Sequence, residues 1–213
     1  MNTVLICVAV LVGFWLLRKL LAFLIVRGLS GVVGRAIGSA ALSKQPDAIH
    51  LQQANEGAWT DADAARHMAE PFHDLGFESA GVYRIGELPG VIVELFANTG
   101  DRLYGVVYEH PHAGHWYDVV GRFEDGTSAT YTTAQPTGLD PRPGHPVVNL
   151  PGARVQALVE RARAEAQGKR PKPATRGNVV TDFETAYAES IAWRKSRGIS
   201  AQEVGRVAQR KAA

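Results

Sequence analysis

Tyr108-Glu109-His110-Pro111-His112-Ala113-Gly114-His115-Trp116-Tyr117-Asp118 reads as two strands joined by a tight turn. Pro111 presets its φ, and Gly114 supplies a backbone conformation that other residues resist. Taken as a four-residue loop over 111–114, the turn sets His110 opposite His115, Glu109 opposite Trp116 and Tyr108 opposite Tyr117. This register gathers Tyr104, Val106, Tyr108, Tyr117, Val119 and Phe123 on one face, which is then the covered one. It leaves Glu109, Asp118, Arg122 and Glu124 on the other, with Trp116 and Val120 among them. Side chains alternate along a strand, so a slip of one residue would exchange the faces of one strand entirely.

In this register His110 and His115 are cross-strand neighbours with Cβ atoms roughly 5 Å apart, close enough for two imidazoles to share a zinc ion. His112 in the turn is the candidate third ligand. The competing reading has the histidines hydrogen-bonded to backbone or water at the end of an aromatic sheet face. Tyr108 and Trp116, beside them, are candidate ligand contacts.

Outward from the hairpin, apolar and polar residues alternate over 80–86, 91–98, 103–110, 115–124 and 127–134. Leu88-Pro89-Gly90, Asn98-Thr99-Gly100-Asp101 and Asp125-Gly126 mark the turns between them. Connections this short join antiparallel neighbours, so the pattern predicts an antiparallel meander of about five strands. Before it, Thr60 is a candidate N-cap. Ala64, Ala65, Met68, Phe72 and Leu75 form one helical face. Pro71 is expected to kink that helix, because it has no N–H for the carbonyl of His67.

Residues 136–152 hold five prolines and three glycines, which restrict the unfolded chain and favour an ordered loop. Asp140, Arg142 and His145 lie there and are candidate ligand-binding residues; the competing reading pairs Asp140 with Arg142. Val147-Val148 suits a short edge strand. Beyond, Val155, Leu158, Val159 and Ala162 make an apolar helix face. Thr181-Asp-Phe-Glu184 and Ser200-Ala-Gln-Glu203 have the form of capping boxes that open two further helices.

The N-terminus has a different composition. Thr3–Leu17 is fifteen residues without a charge, followed by Arg18-Lys19 and a second apolar run over 20–26. As a helix the first run covers roughly 22 Å, and the flanking Arg and Lys can snorkel to the interface. A cleaved signal peptide would need a basic start, which Met1-Asn2 lacks. The reading is therefore an uncleaved single-pass anchor. The basic residues that follow it place the remaining chain in the cytoplasm.

The net charge of +2 conceals an asymmetry. Residues 1–44 carry five basic residues and no acid, 45–152 carry five basic and fifteen acidic, and 153–213 carry thirteen basic and six acidic. The acidic middle argues against nucleic acid as a partner. The basic tail is expected to lie on that middle, on a protein partner or on anionic lipid headgroups. The single cysteine, Cys7, rules out an intramolecular disulfide. Phosphate-cradling Gly-rich loops, the Gly-x-Ser-x-Gly elbow and the His-Glu-x-x-His zinc-protease motif do not occur.

The sequence thus predicts an α+β chain. Residues 1–27 form a membrane anchor, 28–59 a Gly/Ala-rich juxtamembrane segment and linker, 60–152 an antiparallel sheet domain, and 153–213 a basic helical tail packing on it. The expected function is a membrane-anchored, non-enzymatic binding or scaffold module. The alternative is a small metal- or ligand-binding domain, hydrolytic in one version, that uses the His110/His115 hairpin and the Asp140–His145 loop.

Overall fold

The computed structural model describes residues 42–211, and the apolar segment expected as an anchor lies outside them. Among the described residues no helix is long and apolar enough to cross a membrane. The fold is α+β, built on one seven-stranded sheet in sequence order. The strands are β1 (Leu51–Ala54), β2 (Glu78–Ile85), β3 (Ile92–Asn98), β4 (Leu103–His110), β5 (Gly114–Arg122), β6 (Ser128–Thr132) and β7 (Val147–Asn149). The pairs from β1 to β6 are antiparallel, and β7 joins β6 in parallel.

Two strands extend the expected meander. Residues 51–54, read as linker for want of periodicity, form the β1 edge, paired to β2 from Leu51↔Ile85 to Ala54↔Val82. At the other edge the proline-rich loop is the crossover that a parallel pair requires. It carries the chain from the end of β6 back to the start of β7.

Helix α1 (Ala62–Asp74) continues through Pro71 without a break. Its N-cap is Asp61 rather than Thr60, with the Asp61 carboxylate accepting from the Ala64 N–H at 2.9 Å. Helices α2 (Val155–Glu165), α3 (Val179–Arg197) and α4 (Ala201–Lys211) follow the sheet. The Ser200–Glu203 capping box forms: Ser200 N–H donates to Glu203 Oε2 at 2.8 Å and Glu203 N–H donates to Ser200 Oγ at 3.2 Å. The Thr181–Glu184 box does not, because α3 already begins at Val179 and Glu184 instead accepts from the Leu51 N–H at 2.7 Å.

The helices cover both faces of the sheet, not one. Ala65, Ala69 and Phe72 of α1, with Val155, Leu158, Val159 and Ala162 of α2, bury against Phe96, Val107, Val119 and Phe123. Phe72 stacks on Phe96 with centroids 4.9 Å apart, directly over Gly105. The opposite face buries Val93, Leu95, Tyr104 and Val106 under α3. That cover is loose, since α3 fully buries only Val179 and Ile191 of its own side chains. A helix with so little apolar stripe does not close down on a sheet.

The hairpin register differs from the expectation by one residue. The loop is Pro111-His112-Ala113, and Gly114, at φ +73°, pairs with His110. Short hairpin loops closed by a left-handed glycine are a favoured class. His110 tightens this one, with Nδ1 accepting from the N–H groups of His112 (3.1 Å) and Ala113 (3.2 Å). The pairs are therefore Glu109↔His115, Tyr108↔Trp116, Val107↔Tyr117 and Val106↔Asp118. Tyr104, Val106 and Tyr108 share their face with Trp116, Asp118 and Val120. Tyr117, Val119 and Phe123 turn to the other side.

Candidate ligand-binding cavity

The loose fit of α3 leaves a cavity of about 760 Å³ between the helix and the β4–β7 part of the sheet. This is within the range of small-molecule sites and far above the voids of a packed core. Val106, Tyr108, Trp116, Asp118 and Val120 form its floor, Phe183 and Tyr187 of α3 its roof, and the 136–142 loop one end. Tyr108 and Trp116 stack with centroids 4.6 Å apart and planes 11° from parallel, and Phe183 lies 6.3 Å from Tyr108.

Asp118 is the carboxyl of the floor. The hydroxyls of Tyr108 and Thr132 turn toward it, but Oδ1, shielded from solvent, has no hydrogen-bond partner among the described residues. Burial pushes this carboxyl up to about 6, against the pull of Thr132 and Tyr108 toward the charged form. Burial, with the adjacent Asp118 charge, also holds the Tyr108 phenol well above its ordinary range.

The other carboxylates that line the cavity are paired with arginines. Arg122 lies 2.5 Å from Asp182, which also accepts from the Tyr104 hydroxyl at 2.6 Å. Arg142 meets Glu189 of α3 at 3.0 Å rather than Asp140. Asp140 is held by Arg197 at 2.9 Å and by Arg206, and its N–H donates to Glu203 at 2.9 Å. Glu203 is fully buried and also receives Arg194 at 2.7 Å and Arg197 at 2.9 Å. Burial opposes its charge, but the N–H groups of Ser200 and Asp140 and the arginines hold its carboxyl well below the usual range. These contacts fasten the proline loop to α3 and α4.

His145 shares a hydrogen bond of 2.8 Å with Ser128 and also lines the cavity. Its burial, with the Arg142 charge, lowers its proton affinity. The hairpin histidines are separated: His110 faces the cavity, and His115 stands on the opposite face, its Nε2 3.0 Å from Glu109. His112 is exposed in the turn. Among the described residues no three His, Cys, Asp or Glu side chains come together as a metal-binding group.

Of the residues singled out in the sequence, Tyr108, Trp116, His110, Asp140, Arg142 and His145 line one cavity, and His112 and His115 do not. The assumed register put Asp118 and Arg122, together with Trp116, on the outer face with Glu109, and neither Asp118 nor Arg122 was among the candidate residues. A three-residue loop over 111–113, with Gly114 paired to His110, would have placed Asp118 on the face of Tyr108.

The basic tail meets the acidic middle at several points. Lys195 lies 2.6 Å from Asp47 and Arg163 2.6 Å from Asp101. Comparison of the chain with models of known protein families, with curated proteins and with solved structures gives no match.

Proposed function

We propose that this chain is a membrane-tethered, non-enzymatic binding module that holds a small organic ligand between the sheet and α3. The observation that carries the reading is the cavity. A cleft of about 760 Å³, open to solvent on one side and floored by stacked aromatics, has the size and lining of a small-molecule site. The tether rests on the uncharged Thr3–Leu17 run and the basic residues after it. Arg142, His145 and Asp140 frame the mouth from the loop, so ligand entry is coupled to the contacts that fasten this loop to α3 and α4.

The test is ¹⁹F NMR of the full-length chain labelled with 5-fluorotryptophan, in a mild detergent. Trp116 is the tryptophan on the cavity floor, and Trp116→Phe assigns its resonance. A panel of small aromatic amines, alcohols and acids should include members that shift this resonance saturably. Val120→Phe, which fills the floor, should abolish the shift. No saturable shift, or a shift unaltered by Val120→Phe, rejects the cavity as the site. A reporter fused after Ala213 tests the tether and should be active only in its cytoplasmic form.

A further inference from the structure

We infer that the cavity takes an organic cation, its protonated nitrogen received by Asp118 and its apolar body lying along Val106 and Phe183. The inference rests on the binding reading above and adds the chemical class of the ligand.

Charge pairing carries the argument. Among the described residues that line the cavity, the acids are Asp118, Asp140, Asp182 and Glu189. Three have a basic partner from the protein: Asp140 has Arg197 and Arg206, Asp182 has Arg122, and Glu189 has Arg142. Asp118 has none. The groups that act on it are the neutral hydroxyls of Tyr108 on β4 and Thr132 on β6. A shielded carboxylate oxygen without a partner is costly in a folded protein, and such groups concentrate where a ligand supplies what is missing.

The three charge classes of ligand meet this floor differently. An anion would add a second negative charge beside a desolvated carboxylate. A neutral alcohol offers Oδ1 one hydrogen bond and leaves its charge uncompensated. An ammonium supplies charge and up to three donors together, and its hydrogen bond to a carboxylate is of the stronger, charge-assisted kind. The flanking rings favour the same class, since the faces of Trp and Tyr attract cations. Trp116 is two residues from Asp118 on the same strand face, and Tyr108 stacks on it. Beyond the carboxylate the cavity continues over Val91, Ile85 and Ile49, an apolar path for the rest of the molecule.

The experiment uses three probes of one shape and different charge: 2-phenylethylammonium, 2-phenylethanol and 3-phenylpropionate. Each is titrated into the fluorotryptophan-labelled full-length chain while the Trp116 resonance is followed. The ammonium should bind at least about tenfold more tightly than the alcohol, with the carboxylate weakest. Asp118→Asn, which keeps the side-chain volume, should remove that preference. The Trp59 resonance, in the core on the opposite face of the sheet, reports whether the variant keeps its fold. If it does not, the order of the three probes on the unaltered chain decides. Equal binding of all three, or a preference that survives Asp118→Asn, overturns the cation inference and leaves the cavity a binding site. No binding of any of the three overturns both readings.

Discussion

Glu109 and His115 face each other directly across the β4–β5 hairpin, with His115 Nε2 3.0 Å from Glu109 Oε2. The same carboxylate accepts from the N–H groups of Thr60 at 2.9 Å and Asp61 at 3.1 Å. The hairpin end therefore holds the start of α1 on the face away from the cavity. Glu109 itself is 5 % exposed.

Glu109→Ala should destabilise the fold by at least about 2 kcal/mol, because charge-assisted bonds to backbone donors are lost together. His115→Ala should cost less, since the backbone donors remain. The bonds from Thr60, Asp61 and His115 outweigh the opposing effect of burial and hold the Glu109 carboxyl below its ordinary value of 4.5. Its contribution is then present above pH 4.5 and fades as the pH falls through the lowered value. Urea melts of the unaltered chain and Glu109→Gln between pH 3 and 7 should converge at the acid end.

Asp118 should show the opposite sign. Burial raises its carboxyl from 3.8 to about 6, so the folded chain holds the proton more tightly than the unfolded chain does. Stability is lost as the pH rises from 3.8 through about 6, and the full cost is present above that. Asp118→Asn should therefore stabilise the protein near pH 7.5 by up to about 3 kcal/mol, and by almost nothing near pH 4. Thermal melts at the two pH values check this. A variant less stable at both would show that the carboxylate is held by more than Tyr108 and Thr132.

Glu203 fastens the loop to the last two helices from a fully buried position. Glu203→Ala removes the carboxylate partner of Arg194, whose side chain is 13 % exposed and keeps only the Asp140 carbonyl, and should cost roughly 3 kcal/mol locally. Hydrogen exchange should rise across 136–142 and α4 while the β3–β5 amides keep their protection. Uniform loss of protection would contradict a local fastening.

Gly105 is fixed by packing. A Cβ there would lie 2.6 Å from Phe72 Cδ1 and closer still to Cε1, with Phe96 Cβ at 3.2 Å. Gly105→Ala should destabilise by about 1–3 kcal/mol through overpacking. Phe72→Leu, which removes the ring edge, should recover part of it in the double variant. Additive losses would mean the two positions do not interfere.

Zinc uptake checks the hairpin histidines. His110 and His115 stand on opposite faces of the sheet, so their imidazoles cannot close on one ion. Calorimetric titration of zinc should give the same isotherm for the full-length chain and for His110→Ala/His115→Ala. Stoichiometric binding lost in the double variant would require the hairpin to re-register.

Much of the fold was legible because it follows from local chemistry. Alternation and turn residues located β2 to β6 within about two residues, and the Val155–Ala162 stripe marked α2. Ser200 and Glu203 announced a helix start that forms as read. Legibility stopped where a distant partner decides. Leu51–Ala54 carries no period of its own and becomes a strand because β2 offers an unpaired edge. Thr181 and Glu184 have capping-box form, but the helix starts earlier and Glu184 turns to Leu51. The sequence put Tyr108, Trp116, Asp140, Arg142 and His145 forward without showing that they surround one space.

By itself the sequence determined the α+β class, the antiparallel order of the central strands, the helices that follow, and the split between the uncharged Thr3–Leu17 run and a charged body. These depend on side-chain period, turn conformation and charge, which act over a few residues. Tertiary structure alone decided the hairpin register, the second covered face, and the cavity left by a helix with too little apolar surface to close it. Each is a competition between alternatives of nearly equal local energy. One residue of loop length, settled by Gly114 pairing with His110, moved Asp118 from the solvent side to the floor of that cavity.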